Sequence, residues 1–471
     1  MALEVDDLSY CFFGGKPVLK NLNFRIEDGE YVALLGPNGS GKTTLALCLC
    51  GVIPHYYAGS LSGQIKIDDI DSTKESPSQA AFKVGFLFQD YESQLFLQTL
   101  RQELEFSLEN LGLNVEQNIK RLDKMLDLAH LLDRNLTSLS EGEKQKAALA
   151  SVLAPDPDVL ILDEPSSQLD VRARKKLLKL LDKLNSRGKT IIHATHETES
   201  VAECSRFLVL KDGCLVVDST DNSFLRKEKT ASLGVEPLNH FIKGDASETL
   251  INDKTVLRTQ DLGFIRGEMS VLRQVDLDFK QGQFTVIGGL NGCGKTTLLK
   301  LLIRLLKPQQ GSIYLNGKDV SSIKRSILSS RLGFIFQNPS HQLFRNTLRD
   351  ELDYTLRVQN SIREGAVDQI ISRFKLKSID KRSPQSLSVG EKQKTALASV
   401  LVSDPDVLLL DEPLTCLDYE AKINLLDYLK RLKGEGKTII VASHHSRYYI
   451  NLADRLIQLK DGAIIVNEGI N

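Results

Sequence analysis

The stretch GPNGSGKTT, Gly36 to Thr44, is written again with two changes as GLNGCGKTT, Gly289 to Thr297. Each copy follows a short apolar run, YVALLG in one half and FTVIGG in the other. Other matches fall in the same order. Lys42 and Lys295 are 253 residues apart, whereas Gln89 and Gln337, Ser140 and Ser388, Asp163 and Asp411, and His196 and His444 are each 248 apart. The second half has lost five residues near the counterpart of GVIPHYYAGSLSGQ, and register holds from there on. The chain is therefore a tandem duplication of a large unit, and not a solenoid, whose repeats run about 20 to 50 residues. The first copy is expected over 1–221 and the second over 255–471, with 222–254, polar and without sustained periodicity, as a linker.

A short strand leading into a Gly-rich loop and a helix, followed by apolar runs such as DVLILDEP and KTIIHATH, predicts an α/β unit around a mostly parallel sheet. The Leu-, Glu- and Lys-rich stretch from Gln89 to Leu139 carries apolar residues at i, i+3 and i+4. It predicts a helical subdomain inserted into each copy. TTLLKLLIRLLKP, from Thr296, reads as one amphipathic core helix; Lys300 and Arg304 interrupt it, so it does not read as a span. No run approaches the roughly 20 apolar residues needed to cross a bilayer. MALEVDDLSY has neither a basic n-region nor an apolar h-region, so a secretory leader is not expected. With 60 Lys+Arg against 61 Asp+Glu, the charge balance speaks against a nucleic-acid binder. The seven cysteines are scattered without a CxxC pair, which fits reduced thiols better than disulfides or a zinc site.

GxxxxGK[ST] cradles phosphate because glycine lets consecutive backbone N–H groups curl around oxygens with no Cβ in the way. The following helix presents its positive end, and the Lys reaches the outer phosphates. The loop residues Gly36, Pro37, Asn38, Gly39, Ser40, Gly41, Lys42, Thr43 and Thr44 are candidates to bind a nucleotide. So are Gly289, Leu290, Asn291, Gly292, Cys293, Gly294, Lys295, Thr296 and Thr297. Thr43 and Thr296 are expected to ligate Mg²⁺ through their hydroxyls. VLILDEP and VLLLDEP put Asp163 and Asp411 at a strand end as Mg²⁺ carboxylates. Glu164 and Glu412 follow, where each can orient or deprotonate an attacking water. LSEGEKQK and LSVGEKQK place Ser140 and Gly142, and Ser388 and Gly390, at the start of a helix. That is an anion site by dipole, and equally a capping box with Glu143 or Glu391.

Together these motifs resemble the ATP-binding-cassette ATPases across nearly all of both halves. The resemblance implies two tandem P-loop cassettes that pair within one chain, with ATP and Mg²⁺ bound between them. One site would join Gly36–Thr44, Gln89, Asp163, Glu164 and His196 with Ser388 and Gly390. The other would join Gly289–Thr297, Gln337, Asp411, Glu412 and His444 with Ser140 and Gly142. Gln89 and Gln337 would serve metal and water, and His196 and His444 would contact the γ-phosphate. SSQLD and LTCLD, ending in Asp170 and Asp418, match the loop that crosses between cassettes. An aromatic ahead of the first long strand would stack on adenine: Phe12 is the candidate and Tyr10 the next, while the second half offers Ile265 or Arg266.

The repeated FQxxxxQLF, as FQDYESQLF and FQNPSHQLF, is similar to the ATPase components of energy-coupling-factor importers in a fused form. That resemblance implies a peripheral place on the cytoplasmic face of the membrane. It also implies a transmembrane coupling subunit and a substrate-capture membrane subunit for a vitamin or metal ion. Gln94, Leu95 and Phe96, with Gln342, Leu343 and Phe344, would line a groove for the coupling helix, or else pack the subdomain core. A fused sugar-importer ATPase and a soluble ribosome-associated tandem protein are the alternatives.

The third position of the helix-start motif departs from the family's Gly, being Glu141 in one half and Val389 in the other. A carboxylate at Glu141 would repel phosphate unless it points away, which would slow the second site. Cys293 replaces Ser40 inside the second loop. A thiol reagent is expected to block ATP hydrolysis, with prior ATP protecting; an unchanged effect in Cys293→Ser would remove that thiol from the account.

Overall fold

The computed structural model describes residues 3–68, 70–167, 169–226, 229–238, 252–359 and 364–469. The chain divides near residue 240 into two compact units.

The first unit opens with β1 (Leu3–Phe12), β2 (Pro17–Ile26) and β3 (Tyr31–Leu35), then α1 (Lys42–Leu49), β4 (Gly59–Ile67), β5 (Ile70–Asp71) and β6 (Val84–Leu87). Three helices follow, α2 (Leu100–Asn110), α3 (Val115–Leu126) and α4 (Glu141–Leu153). β7 (Val159–Asp163), α5 (Val171–Asn185), β8 (Thr190–Thr195), β9 (Arg206–Lys211) and β10 (Cys214–Ser219) complete it. Six strands form a sheet in the order β10-β9-β3-β8-β7-β6, parallel but for β10. β3, β7 and β8 are buried at every position, the mark of strands covered on both faces. Alternate residues therefore serve two cores. Leu160 and Leu162 pack toward the inserted helices, while Val159 and Ile161 pack toward α1 and a second, antiparallel sheet ordered β2-β1-β4-β5.

The second unit repeats the plan with β11 (Asn252–Arg266), β12 (Met269–Gln281), β13 (Phe284–Gly288), α6 (Lys295–Leu302), β14 (Gln310–Leu315) and β15 (Lys318–Asp319). Then come α7 (Arg325–Arg331), β16 (Leu332–Ile335), α8 (Leu348–Val358), α9 (Ala366–Arg373) and α10 (Val389–Leu401). It closes with β17 (Val407–Asp411), α11 (Tyr419–Gly434), β18 (Thr438–Ser443), β19 (Arg455–Lys460) and β20 (Ala463–Gly469). Its sheets run β16-β17-β18-β13-β19-β20 and β12-β11-β14-β15.

Two expectations are corrected. The helix read from TTLLKLLIRLLKP stops at Leu302, because Arg304 takes a left-handed φ of 58°. Its guanidinium then caps a neighbouring turn by donating to the Val320 and Ile323 carbonyls at 3.2 and 2.8 Å. The segment 222–254 is not linker throughout. Leu225 and Val235 are buried in the first unit's core, and Asn252 already begins β11; residues 239–251 lie outside the described residues.

The inserted helices are set by local chemistry. Thr99 and Thr347 cap α2 and α8, accepting from Gln102 N at 3.3 Å and Asp350 N at 3.1 Å. A buried glutamate inside each first turn folds the preceding turn over itself. Glu103 accepts from the Phe96 and Leu97 N–H groups at 3.2 and 3.0 Å, and Glu351 from those of Phe344 and Arg345 at 2.8 and 2.9 Å.

Candidate nucleotide-binding sites

Both phosphate loops are built where β3 and β13 end and α1 and α6 begin, with glycines that nothing larger can replace. Gly36 has φ +153°, and a Cβ there would stand 2.3 Å from the Leu210 carbonyl oxygen. Gly289 has φ +155°, with its Cβ 2.5 Å from the Leu459 oxygen. Gly41 and Gly294, at φ +105° and +108°, form the helix N-caps and hold the loops open. The lysines curl back over these loops. Lys42 Nζ donates to the Gly36 and Pro37 carbonyls at 2.8 and 3.1 Å, and Lys295 Nζ to those of Gly289 and Leu290 at 2.8 and 3.2 Å. Each loop is thus a hollow lined by glycine, a helix N-terminus and a buried ammonium, which is the chemistry a polyphosphate needs.

The carboxylates arrive from β7 and β17. Thr43 Oγ1 donates to Asp163 Oδ2 at 2.6 Å, and Thr296 Oγ1 to Asp411 Oδ1 at 3.0 Å. Burial pushes both aspartates up to about 6, against which the threonine bonds pull only partly. Asp163 Oδ1 is buried without a hydrogen-bond partner. A hydroxyl, an underused carboxylate oxygen and a phosphate hollow together make a donor set that fits Mg²⁺.

Glu164 and Glu412 behave in the opposite sense. Burial alone would raise them, but His196, Lys42 and Thr195 hold Glu164 well below the usual carboxylate range; His444, Lys295 and Ser443 lower Glu412 as well. Glu164 Oε2 accepts from Thr195 Oγ1 at 2.9 Å, and its Oε1 lies 2.7 Å from His196 Nδ1 and 3.9 Å from Lys42 Nζ. Glu412 Oε2 lies 2.9 Å from His444 Nδ1, and Oε1 lies 3.4 Å from Lys295 Nζ. Both glutamates hold positive φ, 50° and 46°, as the chain leaves the strand. Neighbouring strand ends fix them there, since the Glu164 and Glu412 N–H groups bond the Ala194 and Ala442 carbonyls at 2.8 and 2.9 Å. His196 Nε2 and His444 Nε2 are buried with no partner of their own.

Gln89 and Gln337 are exposed, two residues beyond β6 and β16, whose ends lie beside β7 and β17. Both helix-start serines are exposed and boxed: Ser140 N–H donates to Glu143 at 2.8 Å, and Ser388 N–H to Glu391 at 2.8 Å. Gly142 and Gly390 follow in the first turns of α4 and α10. Glu141 is drawn aside by Tyr91, whose hydroxyl donates to it at 2.9 Å, and by Lys144 at 3.4 Å. Phe12 is 36% exposed at the end of β1, edge-on to Tyr57; Tyr10 is 1% exposed and belongs to the core, which removes it as a stacking residue. Ile265 and Arg266 are exposed at the end of β11. Cys293 is buried, and burial raises its thiol pKa.

The QLF triplets split by role. Gln94 braces its own loop, accepting from Phe88 N–H and donating to the Phe86 carbonyl, both at 2.9 Å; Gln342 accepts from Phe336 N–H at 3.2 Å. Leu343 is buried and Leu95 packs on the core, so these four are structural. Phe96 and Phe344 are 63% and 60% exposed.

Sequence reading missed two anchors. Arg174, buried in α5, pairs with Glu197 at 3.3 Å and pins the turn after His196; in the second unit Lys422 instead stands 5.2 Å over the Tyr448 ring. Gln145 and Gln393, the Gln of each GEKQK, donate to the carbonyls of Pro165 and Pro413, tying α4 and α10 to the residue after each glutamate. The repeated GEKQK and DEP were the only signal for that tie.

From the ordinary 3.8 up to about 6, folded Asp163 and Asp411 hold protons that the unfolded chain has released. Their contribution to stability therefore falls as pH rises through that window, by about 1.4 kcal/mol per pH unit for each group. In nucleotide-free protein, Asp163→Asn/Asp411→Asn is expected to gain stability relative to wild type between pH 4 and 6. Parallel urea-midpoint profiles for the two proteins would refute the assignment.

The family model described as ABC transporter matches residues 19–167 and again 272–415. A Vibrio vulnificus protein named as an ABC transporter ATP-binding protein is 30% identical over 99% of this chain and 90% of its own length. A similarly named Methanosarcina mazei protein is 32% identical over 99% of this chain and 88% of its own. Among solved structures, a chain from a model of ribosome-bound archaeal Pelota and ABCE1 has a TM-score of 0.69 at 21% identity, over 98% of this chain and 78% of that one. Glycine loops, strand-end carboxylates and capped helix starts, each present twice, agree with those matches: the chain belongs to the ABC transporter family, as a tandem ABC ATPase.

Proposed function

We propose that this ATPase drives import of a micronutrient, a vitamin, vitamin precursor or metal ion, through a transmembrane coupling subunit and a substrate-capture subunit. It would work from the cytoplasmic face of the membrane. The observation that carries the reading is the repeated FQxxxxQLF, in which one aromatic per copy is left exposed on the helical insert. Phe96 sits edge-on to Phe106 at 5.3 Å, and Phe344 edge-on to Tyr354 at 5.4 Å. Phe96, Phe106 and Phe344 are exposed and suit the apolar face of a coupling helix, while Arg345 lies 3.6 Å over the Tyr354 ring. No described helix is long and apolar enough to cross a membrane, so the membrane path belongs to other chains in this reading.

In the same reading, Lys42 and Lys295 exchange their loop carbonyls for phosphate oxygens. Glu164 and Glu412, held ionised, accept a proton from or orient the attacking water, and His196 and His444 offer Nε2 to the outer phosphate. Thr43, Asp163 and Gln89, or Thr296, Asp411 and Gln337, would hold Mg²⁺, which when bound would supply charge neutralisation at the phosphates. Each nucleotide is completed by the opposite half's Ser388 and Gly390, or Ser140 and Gly142, a pairing that rests on the family resemblance. Closing those sites then moves the membrane partner.

Glu164→Gln/Glu412→Gln is expected to lower ATP turnover by at least about a hundredfold while retaining bound ATP. Near-normal turnover would take the glutamates out of the mechanism. Phe96→Ala/Phe344→Ala is expected to keep turnover in the isolated protein and to lose membrane subunits on detergent purification. Retention of those subunits, or ribosomes copurifying in their place, would overturn the import reading.

A further inference from the structure

We propose that the second unit holds a binding site for a small organic anion in the cleft between α9, α10 and α11. The cleft encloses about 180 Å³. A cavity of about 150 Å³ suffices for a benzene ring, so a single-ring carboxylate is the size it takes. Phe374, Leu397 and Leu425 give it an apolar floor, and Lys375, Lys394 and Arg431 stand around it. None of those three cations is in an ion pair among the described residues, and the one carboxylate in the lining is Asp427. Tyr428 forms a wall, tilted against Phe374 at 4.5 Å, and its hydroxyl is buried without a hydrogen-bond partner. Arg373 is fixed beside it, bonded to both Glu435 oxygens at 2.7 and 2.8 Å and lying 5.5 Å over the Tyr428 ring.

Three unpaired cations at a half-enclosed apolar cleft raise the local anion concentration. A carboxylate answers those cations, accepting from them while its ring covers the floor. The first unit lacks this arrangement. Met125, Asp127 and Leu180 stand where the second has Arg373, Lys375 and Tyr428, and Lys146 is already bonded to the Asp127 carbonyl at 2.6 Å. The cleft also touches working parts. Gly390 lines it, and so does Gln393, whose amide holds the Pro413 carbonyl at 3.3 Å, one residue after Glu412. Occupancy would therefore be felt by α10 and by the turn that carries the glutamate, in one half only.

The probe is 4-fluorobenzoate added to the full chain, read by broadening of its ¹⁹F resonance. Wild type is expected to broaden the line at millimolar probe. Lys394→Ala/Arg431→Ala should weaken the effect about tenfold or more, as loss of a charge-assisted hydrogen bond implies. Lys295→Ala should leave it in place. No broadening by wild type, broadening that survives Lys394→Ala/Arg431→Ala, or its disappearance in Lys295→Ala, which would move the anion to the phosphate loop, each overturns the proposal.

Discussion

Two adjacent carboxylates at the end of a buried strand are kept in opposite protonation tendencies, and the architecture around them serves that difference. Asp163 gains a threonine bond but little else, so burial dominates and its pKa rises; Glu164, one residue on, meets a histidine, a lysine and a second hydroxyl. Separating the tendencies of neighbouring acids lets one strand end carry a group that keeps its proton more readily beside one that stays ionised. It requires Glu164 to turn out of the strand at positive φ, and that turn is held by a bond from its N–H to the next strand. The same construction recurs at Asp411 and Glu412.

What the sequence could reveal was whatever repeats at short range with its own chemistry. The phosphate loops, the strand-end acids and the capping boxes at Ser140 and Ser388 were all legible, because each is a local pattern whose residue types are dictated by backbone geometry. The parallel core strands were legible as unbroken apolar runs. The four-stranded antiparallel sheets were not: the burial of β1 and β12 alternates irregularly, with register shifts along their pairings, and no clean period survives. Helix α6 was overread because the apolar periodicity continues past Leu302 while Arg304 ends it with side-chain bonds that no local pattern signals. Tyr10 and Phe12 could not be told apart by type; two residues apart they share a strand face, and Phe12 is exposed where the strand ends.

Beneath their shared plan the halves differ in how they hold the same groups. The turn after His196 is pinned by Arg174 and Glu197, whereas its counterpart rests on Lys422 and an aromatic ring. Ser40 and Cys293 occupy equivalent buried positions against Gly36 and Gly289, one a hydroxyl and the other a larger, softer sulfur.

The chain that leaves the first unit does not depart cleanly. Gly234, at φ +75°, lies against Pro37, so close that a Cβ there would come within 2.9 Å of the proline ring. Lys211 fastens the same stretch by bonding the Ser232 carbonyl at 2.7 Å. A displacement of the chain at Gly234 would thus be passed to the lip of one phosphate cradle through van der Waals contact.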